Sequence, residues 1–372
     1  MEIVELLLNH GACVNARHCN SSTPLLLAAE GGSKEIVKLL LQHGACVNSA
    51  YTSPCWKGYT PLYLAVKERH EKVVQVLLEC GANVDAQDKD GKTVLHLAVE
   101  KLYEEFVKLL LEFRANIDAQ DKDGKTVLHF AVEKLYEEFV QLLLECGANI
   151  DAQDKNGKTV LNLAAGNGNI EIVKLLLDRG ANIHTIDLSD STPLHNAIES
   201  KKVEIVELLL NQGACLNAGE CENCTPLHRA AQGGIEEIVK LLLKHGACVN
   251  SAYTYIYWEG YTPLHAAVER RHEKVVQLLL ECGANDVPCE NGKTVLHSAV
   301  GTGCSVIIEY VLKYSPEVNN FDSKNKDGRT PLHIADEEGH IEVVEVLSLI
   351  LKMKMVEWQF TLLLTNGVNR LL

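Results

Sequence analysis

The amino-acid sequence predicts an all-α solenoid, and three observations carry that expectation. A four-residue pattern, Thr-Pro/Val-Leu-His or a near variant, recurs along the 372 residues with its Thr at 23, 60, 93, 126, 159, 192, 225, 262, 294 and 330. The intervals are 37, 33, 33, 33, 33, 33, 37, 32 and 36 residues, the spacing of a repeat array rather than of two or three unrelated domains. Each occurrence leads into two short apolar segments of helical period, the second reading E-I-V-K-L-L-L or a variant. Aromatic residues make up only 5% of a chain that is 47% hydrophobic. Its core must therefore be built from Leu, Val, Ile and Ala.

One unit, Asp88 to Gln120, shows the reasoning in chain order. Thr93 precedes a helix over Val94 to Glu100, where its hydroxyl is suited to cap the helix start. Other copies place Pro next, as at Pro61 and Pro263, where a missing N–H costs nothing in the first helical turn. After a turn comes a second helix through Glu105, Val107, Leu109, Leu110 and Leu111, apolar over one broad face. That helix usually ends at Gly, as at Gly44 and Gly147, which adopts the left-handed cap conformation cheaply. Arg114 stands there in this copy and predicts roughly 1 kcal/mol of strain. No such unit buries both helices alone, so stability must come from stacking neighbours, with small residues such as Ala28 and Ala29 permitting close approach.

The period and the Thr-Pro-Leu-His-x-Ala pattern resemble the ankyrin repeat. The resemblance divides the chain into a partial repeat at 1–17, ten repeats in one continuous solenoid over 18–352, and a divergent tail or cap at 353–372. It implies a helix-turn-helix plus a projecting β-hairpin finger per repeat. It also implies that fingers and first helices together line a concave, partner-binding groove.

A second level of duplication singles out two fingers. KLLLQHGACVNSAYTSPCWKGYTPLYLAVKERHEKVVQVLLECGAN, around Thr60, returns around Thr262 in near-identical form at an offset of 202 residues. The opening EIVELLLN returns at the same offset, so a six-repeat cassette looks to have been begun twice. Both blocks carry the four-residue insertion that lengthens 33 to 37, and it falls in the finger. Trp56, Lys57 and Tyr59 occupy the first finger; Tyr255, Tyr257, Trp258, Glu259 and Tyr261 occupy the second. Trp and Tyr bury large area at low entropy cost and are enriched at binding hot spots, although packing against neighbouring fingers accounts for the rings equally well. Six units at helix-packing distance would set the two fingers about 55 Å apart, a spacing suited to an extended or dimeric target.

Copies three to five present an interleaved ladder of lysines and acids. Lys89, Lys92, Lys122 and Lys125, with Asp90 and Asp123, fall at exposed finger positions, and Glu100, Lys101, Glu133 and Lys134 at the first-helix ends. Solvated surface pairs account for such a pattern; the functional alternative is a groove that reads an acidic segment of a partner.

Chemistry is largely excluded. A formal charge of −15 opposes binding to nucleic acid or to an anionic membrane, and no 18-residue uncharged apolar run exists. The 15 His recur at fixed repeat positions, in the Thr-x-x-His pattern, before the Gly cap and at the second-helix start, which marks them as structural. The 13 Cys also recur at repeat positions, and Cys13, Cys46, Cys80, Cys146, Cys215, Cys248 and Cys282 are expected to be small buried or half-buried hydrophobes. Cys221-Glu-Asn-Cys224 lacks the further ligands a zinc site needs. No Gly-rich phosphate loop, H-E-x-x-H or triad signature occurs, so neither enzyme activity nor a cofactor is expected. Hairpin asparagines Asn15, Asn48, Asn217 and Asn250 resemble positions that asparaginyl hydroxylases modify in this family.

The functional expectation is a non-enzymatic scaffold or adaptor, a monomeric solenoid in the cytoplasm or nucleus that binds protein partners. A targeting subunit of an enzyme complex such as a ubiquitin ligase is the alternative. So is the repeat region of a larger channel, toxin or effector, because Met1 stands directly before a second helix, as in a clipped array. Copy nine, where Asp286-Val287-Pro288 shortens the entry and Ser315-Pro316 replaces the Gly cap, is expected to be the weakest joint, between about 285 and 325.

Overall fold

The computed structural model describes residues 1–18, 22–217, 224–253, 259–286, 288, 289, 291–314, 322–345 and 347. Among these residues the chain is helical without a strand, in two compact units, Met1–Ser189 and Asp190–Leu372. The first unit opens with α1 (Glu2–Asn9) and continues in helix pairs. These are α2 (Pro24–Glu30) and α3 (Lys34–Gln42), α4 (Pro61–Lys67) and α5 (Glu71–Glu79), α6 (Val94–Glu100) and α7 (Glu104–Glu112), α8 (Val127–Glu133) and α9 (Glu137–Glu145), α10 (Val160–Asn167) and α11 (Ile170–Asp178). The second unit pairs α12 (Pro193–Glu199) with α13 (Val203–Asn211), α14 (Pro226–Gly233) with α15 (Glu236–Lys244), α16 (Pro263–Glu269) with α17 (Glu273–Glu281), and α18 (Val295–Thr302) with α19 (Ser305–Tyr314), then reaches α20 (Pro331–Glu337). The tail predicted at 353–372 lies outside the described residues.

The core repeats with the sequence. The Leu two residues after the pattern Thr is buried from Leu25 to Leu296, as at Leu62, Leu95, Leu128 and Leu161, while Leu332 of the last copy is exposed; Val107, Val140, Val173 and Leu110, Leu143, Leu176 are buried on the second helices. The Ala five residues after the Thr is buried throughout, from Ala65, Ala98 and Ala131 to Ala230, Ala267 and Ala299. A methyl there lets successive first helices pack side by side, which is why few large rings suffice. The predicted fingers are turns rather than strands, each closed by short backbone pairs such as Asp88 N–H to the Lys92 carbonyl at 2.9 Å.

Left-handed residues recur at three places in the repeat: in the finger, as at Gly91 and Gly124, at the end of the second helix and in the turn between the helices. Glycine fills the end of most second helices, and Arg114 takes that place at φ 63°, as its position in the sequence predicts. The turn between the two helices of a repeat, nine residues after the Thr, is left-handed as well. Arg69, Leu102, Leu135, Lys201 and Arg271 sit there at φ between 58° and 61°. Elsewhere it is Gly, and at Gly32 the reason is steric: a Cβ would lie 2.5 Å from the His70 ring. That ring hydrogen-bonds the Glu30 carbonyl at 2.9 Å, and His272 does the same to Gln232 at 3.0 Å. The histidines that open second helices thus bind the last turn of the preceding repeat's first helix.

The entry to copy nine carries two buried polar defects. Asp286 caps the start of α18 through one carboxylate oxygen, while its other oxygen is buried without a hydrogen bond among the described residues, and burial pushes its carboxyl above the usual range. His265 Nε2 is likewise buried without a partner at hydrogen-bond distance among the described residues. Its repeat is one residue shorter than the standard 33, and the Lys293 carbonyl, equivalent to the one its relatives use, acts on the ring from outside hydrogen-bond geometry.

Arg114→Gly is expected to raise unfolding stability by about 1 kcal/mol by removing left-handed strain, whereas Gly32→Val should lower it; urea midpoints of the two variants measure both. Native-state hydrogen exchange should show the amides of 285–314 protected least among the helical residues and those of α6 to α9 protected most, because an unpaired buried polar group costs about 1–3 kcal/mol. Equal protection would contradict the assignment of the weak joint.

Candidate protein-interaction surface

The Thr and His of the recurring pattern form the inner frame of this surface. Thr93 N–H donates to His96 Nδ1 at 3.2 Å, and the Thr93 hydroxyl lies 2.9 Å from the same nitrogen. With Nδ1 accepting, the proton sits on Nε2, which donates to the Lys125 carbonyl at 3.2 Å. Lys125 immediately precedes the Thr of the next repeat, so one imidazole caps its own helix and ties down the neighbouring finger. The arrangement recurs at His129 to Lys158 and at His297 to Arg329. Burial lowers the pKa of His96, His129 and His297, and takes His228 and His265 down to about 4. Asn162 stands in this place in copy five and accepts the same Thr159 N–H through its side-chain oxygen at 3.2 Å. These groups are occupied structurally, as their recurrence predicts.

The fingers of copies three to five are pinned from within and to one another. Asp88 accepts the N–H groups of Asp90 and Lys92 at 2.8 and 2.9 Å, and Asp121 and Asp154 repeat the motif. Lys122 N–H donates to the Asp90 carbonyl and Lys155 N–H to the Asp123 carbonyl, both at 2.9 Å. Gly91 makes that closeness possible, since a Cβ would sit 2.8 Å from the Lys122 nitrogen. Farther back in each hairpin, Asx side chains carry the ladder on: Asn48 accepts the Asn83 N–H at 2.7 Å and Asp85 the Asn116 N–H at 2.8 Å. Of the hairpin asparagines singled out in the sequence, Asn15, Asn48 and Asn250 are engaged in such bonds between repeats.

The lysine ladder splits into two kinds. Lys92 Nζ reaches Glu100 at 3.0 Å and lies 4.7 Å from the Phe130 ring centre, and Lys125 reaches Glu133 at 2.6 Å. Both bind the finger to its own first helix. Lys89 and Lys122 are exposed, with no ion-pair partner among the described residues.

The first lengthened finger holds a continuous set of rings. Tyr51 N–H to the Tyr59 carbonyl, 3.1 Å, closes the loop. Trp56 lies 6.2 Å from Tyr51 and edge-on to Tyr59 at 5.6 Å, and Tyr59 stacks on Tyr63 at 4.1 Å. The Lys67 ammonium sits 5.2 Å from the Trp56 ring centre. Burial pushes the Tyr63 hydroxyl above its ordinary pKa. Packing therefore accounts for much of the cluster, yet Trp56 remains 41% exposed and Lys57 projects into solvent. Sequence reasoning misses Tyr63 and Lys67 as members of this cluster. The available signal is Tyr63 itself, in the place that other copies give to His.

In the second lengthened finger, Tyr255, Tyr257 and Trp258 lie outside the described residues. Glu259 is exposed, and Tyr261 donates its hydroxyl to Glu269 at 2.8 Å. Tyr253 stacks between His228, at 4.6 Å, and Tyr261, at 5.5 Å, and Tyr261 continues onto His265 at 5.5 Å.

The cysteine expectation is corrected. Cys13, Cys46, Cys80, Cys146, Cys215, Cys248 and Cys282 are exposed. In Gly-Ala-Cys the alanine, as at Ala45 and Ala247, takes the buried position and turns the thiol outward. Cys80, Cys146 and Cys282 cap second helices on their solvent edge. Cys221 lies outside the described residues, and Cys224 accepts a hydrogen bond from the Tyr253 hydroxyl at 3.1 Å. No group of three metal-ligating side chains occurs among the described residues, nor does a helix long and apolar enough to cross a membrane.

Stacked helix pairs, Thr–His caps and finger turns at this period define an all-α repeat solenoid. The family model described as ankyrin repeats (three copies) matches residues 1–88, 80–154, 136–220, 215–287 and 282–353, and the chain belongs to the ankyrin-repeat family. Members of that family generally serve as protein–protein interaction modules and are typically non-enzymatic. No curated protein matches the chain.

The buried imidazoles set an acid sensitivity. Their folded pKa values lie below the unfolded value of about 6.5, so the stability they allow is complete above that pH. It falls as protons bind the unfolded chain, down to about 4 for His228 and His265. Each adds a slope of about 1.4 kcal/mol per pH unit in that window. Urea midpoints at pH 7.5 and 5.0 should separate clearly, and His96→Asn with His129→Asn, which copy the natural Asn162, should narrow the gap.

Proposed function

We propose that this chain is a non-enzymatic scaffold whose protein partners dock on the face formed by its fingers and first-helix ends. The observation that carries the reading is Trp56, a large ring left 41% exposed on a finger closed by its own backbone hydrogen bonds. A rigid, partly exposed aromatic anchor is the kind of group that dominates binding energy. The opposite face offers short-range pairs instead, such as Lys108 with Glu104 and Lys174 with Glu171. Free, exposed thiols at repeat positions fit a reducing compartment, the cytoplasm or nucleus. A monomer fits a fold whose internal repeats bury their Leu, Val and Ala against neighbours in the same chain.

A photo-crosslinking amino acid placed at Lys57 or Lys89 should give protein adducts in cell extract, and one at Lys108 or Lys174 should not. Trp56→Ala should weaken the Lys57 adducts several-fold. Equal adduct yields from both faces would remove the docking face from the reading.

A further inference from the structure

Three consecutive fingers carry the same exposed lysine: Lys89, Lys122 and Lys155. Their spacing is held by backbone, since the N–H of Lys122 and of Lys155 is bonded to the finger before it. Lys101 and Lys134, at the ends of α6 and α8, are also exposed. They adjoin Glu100 and Glu133, whose carboxylates already face the fingers through Lys92 and Lys125. The acids on this face are of three sorts, the first being Asp88, Asp121 and Asp154, whose carboxylates accept N–H groups inside their own fingers. Glu100 and Glu133 are neutralised by their own repeat, and Asp90 and Asp123 are exposed beside the finger lysines. Among the exposed residues of this face the lysines outnumber the acids, Lys89, Lys101, Lys122, Lys134 and Lys155 against Asp90 and Asp123, on a chain whose formal charge is −15.

We propose that these fingers read an acidic, extended segment of a partner protein with a carboxylate at every third residue, an inference that rests on the docking face assigned above. Neighbouring repeats advance by about 8–10 Å, the helix-packing distance. An extended peptide in the polyproline-II conformation rises about 3.1 Å per residue with three residues per turn, so every third side chain returns to the same face about 9 Å farther on. A carboxylate at i, i+3 and i+6 then meets Lys89, Lys122 and Lys155 in turn. The uncharged residues between them pass Asp90 and Asp123 without repulsion. A nucleic-acid strand, charged at every nucleotide, has no such neutral intervals, and the two aspartates oppose it.

The test uses the whole chain and fluorescein-labelled peptides, followed by anisotropy at 20 and at about 150 mM salt, where exposed charges more than about 8 Å apart are screened. The probes are a periodic peptide, (Glu-Thr-Ser)4, and a peptide of the same composition with its glutamates in one block. The expected result is at least tenfold tighter binding of the periodic peptide. That preference should be lost in the triple variant Lys89→Gln, Lys122→Gln, Lys155→Gln and kept in the triple variant Lys108→Gln, Lys174→Gln, Lys240→Gln. Equal binding of the two peptides, or full binding by the first triple variant, overturns the proposal. So does a single-stranded oligothymidylate that binds more tightly and displaces the peptide. If the peptides fail while adducts at Lys57 persist, the docking face stands and only the acidic register is lost.

Discussion

In six repeats the stack depends on one buried imidazole, that of His96, His129, His195, His228, His265 or His297. At His96, Nδ1 accepts the N–H of the capping Thr three residues back, and Nε2 donates across to the carbonyl that precedes the next repeat's Thr. A single neutral ring therefore starts a helix and fixes where the neighbouring finger lies. Were it protonated, Nδ1 would lose its role as acceptor, so the bond holds only while burial keeps the ring uncharged. Asn162 shows what the position demands: a side-chain acceptor at the right reach, whatever its acid–base chemistry.

The same economy explains the rest of the surface. Groups that look functional in isolation are engaged in holding repeats together. The second-helix histidines hydrogen-bond the preceding repeat, Lys92 and Lys125 pair with their own first helices, and the hairpin asparagines bridge neighbouring turns. On the proposed docking face, the groups these bonds leave over are the outer side of the Trp56 cluster and the lysines at the finger tips. Because the finger backbones are bonded to one another, those leftovers are presented at a fixed pitch, and little ordering entropy is lost when a partner meets them.

Much of this was legible in the residues. Thr93, Pro61, the Leu and Ala positions and the strained Arg114 could be placed before any coordinates, because each follows from local backbone chemistry repeated at a constant interval. Three features were not legible. The cysteines read as core, yet the alanine beside them takes the core position, a choice made by the direction of Cα–Cβ vectors at a turn. The left-handed turn at Leu102, Leu135 and Arg271 was hidden because only some copies mark it with Gly. The difference between Lys92 and Lys89 depends on whether a carboxylate lies within reach, which spacing alone does not reveal.

The sequence by itself determined the period, the helix starts and stops, the composition of the core and the lack of any catalytic signature, since all are written in local patterns that recur. The tertiary structure decided which of the recurring polar groups are consumed. Hydrogen bonds between His96 and Lys125, or between Asp90 and Lys122, join residues about one repeat apart, and their geometry exists only once the repeats are stacked.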